Sequence, residues 1–141
     1  MKFLLTPELG KLTKWLRAVG YDAVLSKGAI PDLLAEATEG ERTIVTRLAR
    51  LRNHRGTPVI WIKSDRLETQ LKTLKRVCRL GSFQKRLFSR CILCNVSVEG
   101  IAKEKVKGRV PPYVFKMQEA FFRCPSCQRI YWAATHRNRA L

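Results

Sequence analysis

The sequence predicts an α/β domain with a mainly parallel sheet, followed by a small module organised by cysteines. Three observations carry this reading. Up to Gly81, a short apolar run and a helix-periodic stretch alternate four times, with glycines closing the repeats. After Gly81 the long helical periodicity stops. Beyond it stand two Cys-x-x-Cys pairs, Cys91 with Cys94 and Cys124 with Cys127.

The elements follow in order. Phe3-Leu4-Leu5 is a short buried strand, and Thr6-Pro7 opens a helix with the threonine hydroxyl as cap and proline at the first position. Leu9, Leu12, Leu16 and Val19 recur on one face of that helix, which Gly20 ends. Ala23-Val24-Leu25 is the second strand, and residues Pro31 to Glu39 form a helix closed by Gly40. Thr43-Ile44-Val45-Thr46 is the third strand, with Thr46 capping a helix that runs to His54 and stops at Gly56. Val59-Ile60-Trp61-Ile62 is the fourth. Asp65 and Glu68 have capping-box spacing ahead of a helix that turns Leu67, Leu71, Leu74 and Cys78 inward until Gly81. Trp15 and Trp61 fall in apolar phases and read as core. Strand, helix, strand in series gives parallel pairing through right-handed crossovers. The expected division is a domain over 1–83 and, over 84–141, a basic linker with the cysteine module.

At 45% hydrophobic and 28% charged residues, the 141-residue chain is globular in composition. It has no apolar run of bilayer length, and Met1 to Leu5 breaks at Thr6-Pro7, too soon for a signal peptide. A cytoplasmic location and no membrane partner are therefore expected. Net charge is +17, from 28 basic and 11 acidic residues. Divided at Lys85, the two parts carry 17 basic against 8 acidic residues and 11 against 3, so both are basic. Charge of that size attracts polyanions.

Two Cys-x-x-Cys turns in a chain with no secretory signal favour a metal over disulfides. Two intervening residues let one tight turn present two sulfurs, and two such turns complete a tetrahedral thiolate shell. Cys91, Cys94, Cys124 and Cys127 are the expected zinc ligands, separated by a 29-residue spacer. A closed shell leaves no open position for water, so the zinc is structural. Cys78 reads as a small buried thiol, and His136 as a surface or packing residue.

Leu9-Gly10-Lys11-Leu12, Trp15-Leu16-Arg17, Gly20-Tyr21-Asp22, Thr46-Arg47, Cys91/Cys94, Arg109-Val110-Pro111-Pro112-Tyr113 and Cys124-Pro125-x-Cys127 with Tyr131-Trp132 occur in that order. The set resembles the RNase domain family named after the C-terminal region of the Mut-seven exonuclease, over nearly the whole chain. The resemblance implies a PIN-like, three-layer α/β domain followed by a small four-cysteine zinc ribbon, single-stranded RNA as ancestral substrate, and Mg²⁺ or Mn²⁺ as catalytic cofactor. The family pattern has an aspartate ending the first strand and another directly after Thr-Arg. This chain has Thr6 and Leu48 there. Asp22 and Asp32 match acidic positions of the pattern, with Glu8 and Glu36 as further acids nearby in sequence. Carboxylate-held metal activates water in such enzymes, and leucine offers no ligand.

Cations supply the other signal. Lys72, Lys75, Arg76, Arg79, Lys85, Arg86 and Arg90 lie in one stretch without an acidic residue. Arg47 and Arg50 lie close to the position of the missing aspartate, and Lys105, Lys107, Arg109, Arg123 and Arg129 lie in the cysteine module. These are the candidate RNA contacts, through phosphate rather than base edges, since no sequence-reading signature is present. Phe121, Phe122, Tyr131 and Trp132 divide between packing and base stacking, with at least half of them packing. Three readings stand: an RNA-binding protein on a degenerate nuclease scaffold, with ribosomal RNA or the ribosome as a target of suitable charge and size; an active metal-dependent ribonuclease using Asp22, Asp32 and a rearranged third acid; and an interaction module for an acidic protein. Thr6 and Leu48 separate the first two.

Overall fold

A computed structural model describes residues 1–81 and 89–132. Two compact units make up the chain: Met1–Leu16 with Tyr21–Gly81, and Arg17–Gly20 with Ser82–Leu141. Among the described residues, no helix is long and apolar enough to cross a membrane.

The first unit is built on strands β1 (Lys2–Leu5), β2 (Asp22–Leu25), β3 (Thr43–Thr46) and β4 (Val59–Trp61). All pairings are parallel, in the order β2-β1-β3-β4. Phe3, Leu4 and Leu5 are fully buried, as are Ile44 and Val45. That is why these strands read as continuous apolar runs: both faces are covered. Helices α1 (Gly10–Ala18), α2 (Ile30–Glu39) and α3 (Leu67–Val77) follow β1, β2 and β4 in the chain, and a 3-10 turn lies between β3 and β4. Leu4 and Ile44 share a cluster with Leu33 and Ala37 of α2, so α2 covers that face. Phe3, Leu5 and Val45 alternate to the opposite face, and Phe3 meets Tyr21 edge to face at 6.0 Å. Leu9, Leu12, Leu16, Val19, Leu71 and Leu74 are buried, as their periodicity requires.

The local details differ from the sequence reading at several points. The stretch from Thr46 to His54 is not a helix; only Ala49–Leu51 makes a 3-10 turn. Thr46 Oγ1 accepts from the Leu48 amide, two residues on, and this tight turn replaces a helix cap. Thr6 precedes a 3-10 turn over Pro7–Leu9 and makes no cap bond to it. The Asp65 capping box does not form: α3 begins after Arg66 with no side-chain cap. Ser64 holds the turn ahead of α3, its hydroxyl accepting from the Arg66 amide and its carbonyl from Gln70 Nε2. α2 and α3 end before Gly40 and Gly81, and the left-handed residues past their ends are Glu41 (φ 53°) and Arg79 (φ 52°). Cys78, Trp15 and Trp61 are half-buried rather than core. Trp61 lies under the Arg52 guanidinium, 4.5 Å from its ring centre.

The second unit contains an antiparallel sheet of β5 (Glu99–Ile101), β6 (Phe121–Arg123) and β7 (Ile130–Tyr131), with β6 central. A short helix α4 (Pro112–Met117) lies between β5 and β6 in the chain. Val106, Val110, Val114 and Phe121 form its apolar cluster, with Phe115, Ile130 and Trp132 packed against it. This is a small apolar cluster for an independent unit, and units of that kind gain stability from a cross-linking metal.

Candidate metal centre and sheet-edge site

The two Cys-x-x-Cys segments have the same backbone. The Asn95 amide donates to the Cys91 carbonyl at 3.0 Å, and the Gln128 amide to the Cys124 carbonyl at 2.9 Å. The Cys91 amide donates to Val96 O and the Cys124 amide to Arg129 O, at 2.8 and 3.0 Å. Asn95 and Gln128, each directly after the second cysteine, both take left-handed conformations, φ 57° and 66°. In each turn the amide of the second cysteine approaches the sulfur of the first, at 3.4 and 3.5 Å.

The four sulfurs of Cys91, Cys94, Cys124 and Cys127 lie within 4.8 Å of one another, and the set can hold one metal ion. Cys91 Sγ and Cys127 Sγ are 3.8 Å apart. A tetrahedral ion with bonds of ~2.3 Å to sulfur holds its ligands ~3.8 Å apart, so the spacing fits. Tyr131 Oη lies 3.0 Å from Cys91 Sγ and accepts from the Ile92 amide at 3.2 Å. Toward a Cys91 thiolate, which has no proton to give, the phenol is the donor. Burial raises the Cys91 thiol, but hydrogen bonds from Tyr131 and the amides of Cys94 and Leu93 outweigh it and bring it down to about 6. Cys94 is pushed up to about 11, first by its bond to Cys127 and then by desolvation. Burial, followed by the bond to Cys91, pushes Tyr131 upward. One thiolate is thus already favoured and a further one is opposed, the situation a cation resolves.

The other site is the carboxyl edge of the parallel sheet. The strand order reverses direction between β1 and β3, so the switch point, where α/β folds take their ligands, lies beside Thr6 and Thr46. Both threonines are buried, and their hydroxyl oxygens are 3.0 Å apart. Thr6 donates to Glu8 Oε1 at 2.6 Å, so its single proton is spent and the Thr46 hydroxyl supplies the proton shared with Thr6. Glu8 Oε1 also accepts from the Arg47 amide at 3.1 Å. Leu48 points elsewhere: it packs against the cluster of Leu4, Leu33, Ala37, Ile44 and Leu51.

Asp22 and Asp32 do not meet here. Asp22 opens β2 in register with Lys2, at the opposite end of the sheet from Thr6, a separation of roughly 13 Å along the strand. It is bound at 2.8 Å to Arg42, which also donates to Phe3 O. Asp32 is exposed in the first turn of α2, and Glu36 is exposed further along it. Among the described residues, the four cysteines form the one group of three or more potential metal ligands.

Lys72, Lys75, Arg76 and Arg79 are exposed along α3 and past its end, on the side away from Leu71 and Leu74. Lys72 pairs with Glu68 at 3.4 Å in a fully solvated i,i+4 contact of little energy. Arg50, Lys105, Lys107 and Arg129 are exposed too. Arg47 donates to Lys63 O, Arg90 to Asn95 O, Arg109 to Gln128 O and Arg123 to Glu99, so these four also hold the fold. Lys85, Arg86 and His136 lie outside the described residues. Phe121 and Tyr131 are buried and Phe122 and Trp132 half-buried, while among the described residues the exposed aromatic is Tyr113, which the sequence reading placed in the family motif but in no site. Val110, Val114 and Phe121 fill the apolar cluster beside it, and a six-residue helix is too short for its period to mark Tyr113 as outward.

The family model for the Mut7-C RNAse domain matches residues 1–141, the whole chain. No curated protein and no solved structure gives a significant match.

Proposed function

Because the chain belongs to the Mut7-C RNase domain family, we propose that it is an RNA-binding protein on that scaffold, with a structural zinc ion and no catalytic divalent-metal centre. The observation that carries this is the chemistry at the switch point. A hard divalent cation takes oxygen ligands and gains most from anionic ones. Two buried threonine hydroxyls and the carboxylate of Glu8 stand there, already bonded to one another and to the Arg47 amide. Leu48 is committed to the core. These residues do not fit Mg²⁺ or Mn²⁺. Zinc suits the cysteine site because it prefers tetrahedral thiolate and has no redox chemistry of its own to disturb the fold.

RNA is the partner favoured by a net charge of +17 and by the solvent-facing cations of α3 and the second unit. A large folded RNA such as ribosomal RNA offers the dense phosphate surface that such a distribution suits, and the cytoplasm is the compartment where it is met. Family membership keeps one rival reading in view, an active ribonuclease; of the acids expected for it, Asp22 lies at the far end of the sheet, which leaves Asp32 with Glu8 as the further acid. A single assay separates the two. The zinc-loaded protein is mixed with end-labelled RNA and Mn²⁺ over a salt series. Intact RNA with affinity falling steeply as salt rises is expected; cleavage lost on Glu8→Gln or Asp32→Asn establishes the nuclease, and salt-independent binding removes the phosphate contacts.

A further inference from the structure

We infer that α4 carries a contact for an unpaired RNA base: Tyr113 is the stacking platform, Met117 extends it, and Lys116 takes an adjoining phosphate. This rests on the RNA-binding reading and gives it a specific point of contact.

Tyr113 and Met117 are 71% and 72% exposed, whereas Val114, on the other side of the same helix, is buried. Tyr113, Lys116 and Met117 stand at i, i+3 and i+4, neighbours on one helical face. A single exposed apolar residue needs no explanation, but an aromatic and a methionine stacked on one turn make a continuous apolar surface. Tyr113 is also the exposed aromatic among the described residues; the others are buried or half-buried.

Charge selects the occupant. From Lys105 to Gln118 the chain carries Lys105, Lys107, Arg109 and Lys116 and no acidic residue. The nearest acids in sequence are Glu104 and Glu119, and Glu119 is held by Lys103 at 3.3 Å. An aromatic face on a stretch of chain that carries cations and no acid suits a base with its phosphates: every base has a π face to stack, and the backbone supplies the anions. An apolar protein partner would leave those cations uncompensated.

The platform is preorganised. Pro111 and Pro112 fix the entry into α4, with proline inside its first turn. Val114 and Phe115 anchor the helix to the cluster of Val106, Val110 and Phe121. A tyrosine on such a base loses little freedom when a ligand stacks on it.

The test uses the full-length, zinc-loaded protein with a labelled single-stranded oligouridylate, and a blunt RNA duplex as reference. Tyr113→Ala should weaken oligouridylate binding roughly 5- to 150-fold, the range seen when a stacking aromatic is removed. It should leave the salt slope and the duplex affinity unchanged. Tyr113→Trp should retain binding, and Lys116→Ala should lower the salt slope by about one. Zinc content equal to wild type shows that each variant is folded. If the wild type binds oligouridylate and Tyr113→Ala binds it equally well, this inference fails and the RNA-binding reading survives. Loss of binding in Tyr113→Trp as severe as in Tyr113→Ala also overturns the stacking role. If the wild type binds neither RNA, the functional reading fails with it.

Discussion

Thr6, Thr46 and Glu8 show how much one side chain's neighbours decide. The resemblance to the family implies aspartate at two positions where this chain has Thr6 and Leu48. The sequence cannot show that Thr46 lies 3.0 Å from Thr6, because that contact joins residues 40 apart through the pairing of β1 with β3. Both hydroxyls are buried and fully bonded, so removing one strands its partners. Thr46→Val, nearly the same shape, leaves the Leu48 amide and Thr6 oxygen without their bonds and should cost about 1–3 kcal/mol in urea denaturation. Leu48→Asp should also destabilise, since it sends a carboxylate toward the cluster of Leu33 and Ile44. The single exchange back to the family residue is therefore expected to lower the melting temperature without restoring Mn²⁺-dependent cleavage. At the metal centre, Tyr131→Phe deletes the phenol that faces Cys91 Sγ. Loss of such an outer partner should reduce zinc affinity about 10-fold, read by competition with a chelating dye.

Elements were legible where their signal was burial and illegible where it was a local hydrogen bond. The four strands and three long helices follow from apolar runs and helical spacing, and the buried faces of α1 and α3 are the ones their periodicity marks. The Thr46–His54 segment misled because a threonine before Leu48 and Leu51 looks like a capped helix. With only Leu48 and Leu51 to bury and with Arg47, Arg50 and Arg52 among its residues, the segment settles for a single turn, and Arg52 reaches across to Trp61. The Asp65 box failed for a related reason: Ser64 and Gln70 satisfied the start of α3 first. Packing, by contrast, is strict. Leu33 of α2 fills the space between Leu4 and Ile44, so Leu33→Ala should cost about 2–5 kcal/mol by chemical denaturation. Substitutions at exposed Glu36 or Glu39 of the same helix should stay within about 0.5 kcal/mol of wild type.

For the whole chain, the charge and the two cysteine pairs could be read directly, and so could the change of character after Gly81. The antiparallel order of β5, β6 and β7 and the outward face of α4 could not, since three-residue strands and a six-residue helix have too few positions to reveal a period. Metal uptake should be tied to pH with a definite sign. Cys94, pushed up to about 11, holds a proton at neutral pH that the ion must displace, so zinc affinity should fall as pH drops from about 8 to about 6, measurable by chelator competition. Finally, the matching turns at Cys91–Cys94 and Cys124–Cys127 are 29 residues apart in sequence, and one ion would bolt them together. Such a bolt closes a loop and strips entropy from the unfolded chain, as a cross-link does. Everything threaded through that loop, from β5 to the aromatic on α4, then borrows its order from a dissociable atom. A weakened core residue such as Val106→Ala would be tolerated in zinc-replete medium and would melt when the ion is scarce, coupling the grip of this surface to metal supply.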